Sequence, residues 1–444
     1  MTAMPCRPHI LLALALLLAM PVSAALAQQA PAQPQPPVAQ PQTPLQSQAI
    51  IEAAYAEAAH LRDLSQKALA LGDVALARQH GGEAAWEKTW AEALAAAEAV
   101  TDPMAAALTW RGLAVRLWPL APDRGRELLN RATKTARELK YLAQKALALR
   151  EIGRAIVTVD PVQARALLDE AAQVARTVEA PIFRAAALRD IAVALAPLDH
   201  AAATKLFAEA VGVLPPADPD ESVQLARLEV VAAWCRLDLT AALAEAELIG
   251  DPRLRETAYR RICESLAPLT PDDALMVAGK IHDEGERALA LAVLAGYLAD
   301  CQPETAAGMA TAALASLGKL QGADRQHLQA DVAVALAARD PAEGLALLQK
   351  VEDAGICAEA LKRIVARLAR TRPEEALRVL QSVGDWQLRE AALIEIMPAI
   401  AHLDPKRALA ATDEILSRRD RVHALLTIAA ALTEREPAEK AGNP

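Results

Sequence analysis

Seven basic residues recur at one position of a repeating pattern: Lys145, Arg184, Arg255, Arg287, Arg325, Arg389 and Arg421. Three of them have an aspartate four residues earlier, at Asp251, Asp283 and Asp385. A row of cationic groups could hold a chain of anions. The carboxylates argue for another use. An Asp can accept from the free N–H groups of a first helical turn, and an Arg one turn later lies on the same face and bridges to it or to the next layer. The row carries its own counter-charges, so it is read as a structural ladder.

Other chemistry is sparse. Aromatics make up 3% of the chain, yet four of the six Trp stand close together: Trp86, Trp90, Trp110 and Trp118. Trp is enriched where proteins bind partners, so the cluster is a candidate partner-binding anchor, set against packing at a joint. Cys235, Cys263, Cys301 and Cys357 form no Cys-x-x-Cys pair and no zinc spacing. A Cys235–Cys263 bridge is the one disulfide weighed. The histidines show no His-x-x-x-His, and no phosphate loop or Gly-x-Ser-x-Gly elbow is present. The sequence therefore gives no catalytic, cofactor-binding or metal-binding residues. A net charge of −9 argues against nucleic acid, which needs a basic stripe.

These residues must be positioned by a repeat. Its cleanest copy is Pro373–Asp404, read as a short helix, a turn at Gly384-Asp385 and a longer helix. Short helices should begin at Pro122, Pro161, His200, Leu239, Pro271, Pro303, Pro341, Pro373, Pro405 and Pro437. Proline suits a first helical turn, and Asp precedes five of these starts as an N-cap. Nine residues before each start stand Leu113, Ile152, Ile191, Val230, Ile262, Leu294, Val332, Ile364, Ile396 and Ile428. Five before stands another large apolar residue, and thirteen before is usually Ala. Spacing by four places all three on one helix face. Steps are 32 residues or about seven more, and seven is close to two helical turns. Both lengths can therefore stack in one array.

The segments Gly250–Ala258 and Gly384–Ala392 resemble HEAT repeats, including the short HEAT-like form: an Asp, an Arg four residues on, small residues, then an apolar stripe. The resemblance covers roughly 104–444. It implies an all-α fold, a right-handed α–α superhelix (an α-solenoid) of about ten helix hairpins with 32- and 39-residue periods. It also implies a protein-binding scaffold.

Four segments are expected. Residues 1–27 resemble a secretory signal peptide: Arg7, an apolar run at Ile10–Met20, and Ala25-Leu26-Ala27. Residues 28–47 read as a Pro/Gln-rich linker. Residues 48–103 read as a helical hairpin cap, Ile50–Leu71 and Val74–Val100, turning at Leu71-Gly72-Asp73. Residues 104–444 carry the array and a polar C-terminal cap. Ten layers at roughly 8–10 Å would give an open rod on the order of 90 Å. Pro398 should bend its long helix. The functional expectation is an exported, periplasmic or secreted scaffold that binds an unidentified protein or peptide, has no transmembrane anchor once the signal is removed, and catalyses nothing. The alternatives are an envelope enzyme or glycan binder using the array as a cleft, and a structural spacer.

Overall fold

Asp-Pro junctions punctuate the chain in the computed structural model, which describes residues 47–215, 220–384 and 386–441. The expected signal peptide, 1–27, and all but the last residue of the expected linker, 28–47, lie outside the described residues.

The described residues are helical throughout, with no strand among them. Helix α1 (Ser47–Ala59) comes first. Then α2 (Leu64–His80) precedes α3 (Trp86–Glu98), α4 (Pro103–Leu117) precedes α5 (Pro122–Arg137), and α6 (Leu142–Ala155) precedes α7 (Pro161–Arg176). Next come α8 (Pro181–Leu195) and α9 (His200–Gly212), α10 (Glu221–Trp234) and α11 (Leu239–Glu247), and α12 (Pro252–Leu266) and α13 (Pro271–Ala278). They are followed by α14 (Glu284–Leu298) and α15 (Pro303–Ala315), then α16 (Gly322–Ala337) and α17 (Pro341–Leu348). The last are α18 (Ala354–Thr371) and α19 (Pro373–Ser382), α20 (Trp386–Leu403) and α21 (Pro405–Ala411), and α22 (Arg418–Ala441).

The first nine predicted starts are the first residues of the odd-numbered helices from α5 to α21. Asp160, Asp199, Asp238, Asp340 and Asp404 cap them, each accepting from a first-turn N–H at 2.8–3.1 Å. The column nine residues earlier is buried without exception, from Leu113 to Ile428. The third residue after each start, Ala or Gly in these nine, sits at the crossing with the preceding helix. A Cβ on Gly344 would come within 2.6 Å of the Ala333 carbonyl oxygen, so only glycine fits there. The extra residues of the 39-residue copies lengthen the odd-numbered helix. α5 and α7 have 16 residues against 8 in α13 and α17.

Two expectations at the ends are corrected. The first segment is three helices, and α2 runs through the expected turn at Leu71-Gly72-Asp73. Gly72 marks a close helix contact instead: a Cβ there would lie 2.9 Å from Leu113 Cδ2 of α4. At the other end, α22 continues through Pro437 rather than breaking there.

The place of the missing short helix is filled by α1. Helix α22 packs against α1 as closely as the two helices of an ordinary hairpin pack, and it also touches α2. Ile50, Ile51, Ala54 and Ala58 of α1 are buried, as are Val422, Leu425, Ile428 and Ala429 of α22. Full burial of each large aliphatic side chain contributes roughly 1.5–3 kcal/mol. Glu57 accepts from Arg421 at 2.8 Å and from Arg418 at 3.3 Å. The even-numbered helices thus form a closed circuit, each touching the next and α22 touching α2. The expected open rod is therefore replaced by a closed array of eleven hairpins, the eleventh made from the two ends of the described chain. Consecutive odd-numbered helices meet mainly through ion pairs between long side chains, such as Arg137–Glu170 and Arg176–Glu209. In a closed circuit the more tightly spaced row lies inside, so the even-numbered helices form the inner wall.

Candidate functional site

Each even-numbered helix buries one face and leaves one stripe free. That stripe falls about fourteen, ten to eleven, seven and three residues before the following short helix. It carries Arg and carboxylates where the buried stripe carries Ile, Leu and Ala. Arg116 holds Asp73 at 2.6 Å, linking α4 to α2. Arg111 holds Glu151 at 2.9 Å, and Arg150 holds Asp190 at 2.6 Å. Arg189 contacts Asp190 at 2.8 Å and reaches Glu229 at 3.9 Å. One belt of charge thus runs from α2 to α10. Burial lowers the pKa of Arg111, with Glu151 opposing. Burial alone would raise Glu151, but Arg154, Arg150 and Arg111 outweigh it and hold its carboxyl below the ordinary range.

The belt stops between α10 and α12, where no ion pair joins the two helices among the described residues. A cavity of about 510 Å³ opens there, within the ~300–1,000 Å³ range of ligand pockets. Val193, Pro197, Phe207, Ala232, Ala233 and Leu237 give it apolar surface. Arg189, Glu229, Arg236, Arg261, Glu264 and Ser265 supply polar groups. Val193 is 48% exposed, with no neighbouring helix covering it. Phe207 is itself held by a parallel stack on Trp234, with ring centroids 5.8 Å apart. Glu264 is shared by Arg260 at 2.5 Å and Arg261 at 3.3 Å. Arg260 is half-buried, which opposes its charge, yet Glu264 and Glu286 raise its pKa. Arg236 is exposed and has no carboxylate partner among the described residues.

A second cavity, about 640 Å³, lies between α14, α16, α18 and α20. It has three arginines, and all are engaged. Arg363 holds Asp331 at 2.5 Å, Arg370 reaches Asp300 at 3.2 Å, and Arg367 holds Asp300 at 3.0 Å. Arg367 also donates to the Val334 carbonyl at 3.1 Å and to the Gly296 carbonyl. Burial lowers the Arg367 pKa, with Asp300 opposing. Pro398 lines this cavity from inside an unbroken α20. It stands on the exposed stripe, so its ring faces the cavity rather than a packed neighbour.

The predicted ladder lies elsewhere, at the short loops that precede the even-numbered helices. Asp251 and Asp283 cap α12 and α14, accepting from Arg253 N and Glu286 N at 2.8 and 2.9 Å. Asp385 lies outside the described residues. The arginines reach the carbonyl six residues back: Arg287 to Ile281, Arg389 to Val383, and Arg421 to Ile415, the last at 2.6 Å. Arg389 and Arg421 also pair with Glu414 and Glu57. Arg255 is half-buried on the same row. The residue after the arginine position clamps the next layer. Glu256, Gln326 and Glu390 each accept from two backbone N–H groups of the following loop, at 2.6–3.1 Å.

Three of the four clustered tryptophans are buried: Trp90 at 1%, Trp110 at 7% and Trp118 at 8%. Trp86 is half-buried, with Arg124 over its ring at 5.7 Å. They fill the joint between α2, α3, α4 and α5 and leave little face for a partner. Cys235 and Cys263 are free and buried, and burial pushes both thiols up to about 12. The described residues contain no cluster of His, Cys, Asp and Glu able to hold a metal. None of their helices is long and apolar enough to cross a membrane.

The inner-wall charges were legible as a second periodic column, ten to eleven residues before each short helix, but its alternating signs hide it from a search for one residue type. Arg236 has no periodic signal.

No family model matches the chain, and no curated protein matches it. Among solved structures it is similar to the crystal structure of Ton1535 from Thermococcus onnurineus NA1, at 17% identity. That match covers 70% of this chain and 96% of the other with a TM-score of 0.35, too low for anything to be carried across.

Proposed function

We propose that this chain is an exported repeat protein, acting in the periplasm or outside the cell, that binds a protein or peptide segment against the inner wall of its closed array. The repeats are proposed to be of the HEAT-like kind. The observation that carries the reading is the gap in the ion-pair belt between α10 and α12. There the wall exposes an apolar surface beside an arginine with no internal partner among the described residues. Elsewhere the wall largely satisfies its own charges, as a load-sharing scaffold would. The leader-like residues 1–27 support export.

The test is capture of a partner from periplasmic and membrane extracts by the full chain, compared with variants. Val193→Asp and Arg236→Glu should abolish capture, while Arg176→Glu on the outer row should leave it intact. Loss with the outer variant and retention with both wall variants would contradict binding at the wall.

A further inference from the structure

The cavity between α8, α10 and α12 has a polarity that narrows what it takes. Its cationic groups are not equivalent. Arg189 is committed to Asp190 and Glu229, and Arg261 to Glu264. Of the cavity's arginines, Arg236 alone makes no ion pair among the described residues. The cavity therefore lacks one negative charge. The acceptors Glu229 and Glu264 lie on the same lining, with the Ser265 hydroxyl, and the Val193, Pro197 and Leu237 side chains supply apolar contact.

We propose that this cavity receives the C-terminal end of a peptide chain: a free α-carboxylate on Arg236 and an apolar last side chain against Val193, Pro197 and Leu237. The backbone N–H groups of that end would face the carboxylates of Glu229 and Glu264. An arginine can take a carboxylate through two parallel hydrogen bonds, which gives direction as well as attraction. An acyl chain with a carboxylate head shares the charge but has no N–H groups for the remaining acceptor positions of the two glutamates. A phosphate or sulfate would bring more charge than one free guanidinium offsets, beside two glutamates that repel it. The peptide end matches each part of the lining. This inference rests on the peptide-binding reading above and assigns which part of the peptide is held.

The experiment is calorimetric titration of the full chain with N-acetyl-Ala-Ala-Leu as the free acid, as its C-terminal amide, and with dodecanoate. The free acid should bind at least tenfold more tightly than the amide. Arg236→Gln should remove that preference, and Arg176→Gln on the outer row should keep it. Equal binding of acid and amide would overturn the C-terminal assignment and leave peptide binding at the wall standing. Tighter binding of dodecanoate than of the peptide would assign the cavity to acyl chains and overturn it as well. So would no binding of any probe. Failure of the broader reading shows separately, as partner capture that ignores both wall variants.

Discussion

The two cavities of the inner wall are built from the same stripe of the same kind of helix, yet they differ in how their charge is used. Between α14 and α20, three arginines are tied to two aspartates and to the carbonyls of Gly296 and Val334. That cavity is a brace, holding α18 to helices one and two layers away. Between α8 and α12 the belt is interrupted, Arg236 is uncommitted, and apolar side chains reach the opening. A repeat gives every layer the same backbone. Function enters where a layer departs from the pairing its neighbours keep.

The largest expected effect breaks this comparison from the binding side. Arg236→Glu or Val193→Asp should lower partner affinity by at least tenfold while changing unfolding free energy by no more than about 0.5 kcal/mol, as for other surface changes. Binding isotherms and denaturant melts measured together check both halves. On the bracing side, Arg367→Ala should leave partner binding unchanged and cost about 2–3 kcal/mol. It takes a donor from the Gly296 and Val334 carbonyls on a half-buried wall and leaves Asp300 to Arg370 alone. A melt that does not move would remove the distinction between the two cavities. Pro398→Ala should stabilise α20 by about 1–3 kcal/mol, because it restores a backbone donor within a helix. A loss of stability would mean that the ring packs against the second cavity.

The smallest effects come from pH. Glu151 is held below the ordinary carboxylate range, so its contribution is present above about pH 4.5 and is lost as pH falls through its lowered folded value. Glu151→Gln should flatten that acid limb. The buried thiols act at the other end. Their folded values, about 12, lie above the unfolded value, so their contribution is complete below about pH 9 and declines from there toward pH 12. Alkylation of Cys235 and Cys263 at pH 8 should proceed only on unfolding.

Much of this architecture could be read from the chain. Prolines, Asp caps and apolar columns follow local rules that repeat, and each copy corroborates the others. Nine short-helix starts fell where these residues put them. Closure could not be read that way. The helix that completes the last hairpin is α1, some 360 residues earlier in the chain, and nothing periodic ties Glu57 to Arg421. Gly72 misled for a related reason: a glycine in a turn and a glycine under a crossing Leu113 look alike in one dimension. The tryptophans invited a binding role because they are rare, whereas the structure uses three of them as large core side chains. The ladder aspartates Asp251 and Asp283 cap their helices as their spacing implies, and Arg389 and Arg421 pair beyond their own helices with Glu414 and Glu57; the loop carbonyl six residues back, which these guanidiniums also take, has no sequence signal because every residue has a carbonyl.

The inner wall closes on itself only because the ends of the array meet, and that junction can be tested with a zero-length cross-link. In the Arg421→Lys variant, carbodiimide treatment of dilute protein should join the introduced amine to the Glu57 carboxylate within a single chain, alongside the native pair Lys319–Glu284 as an internal control. Recovery of the 57–421 linked peptide in monomer, at a yield independent of protein concentration, is the result predicted by closure. Formation of the 319–284 link without any 57–421 link would show that the array is open, and the inner wall would no longer be a closed circuit.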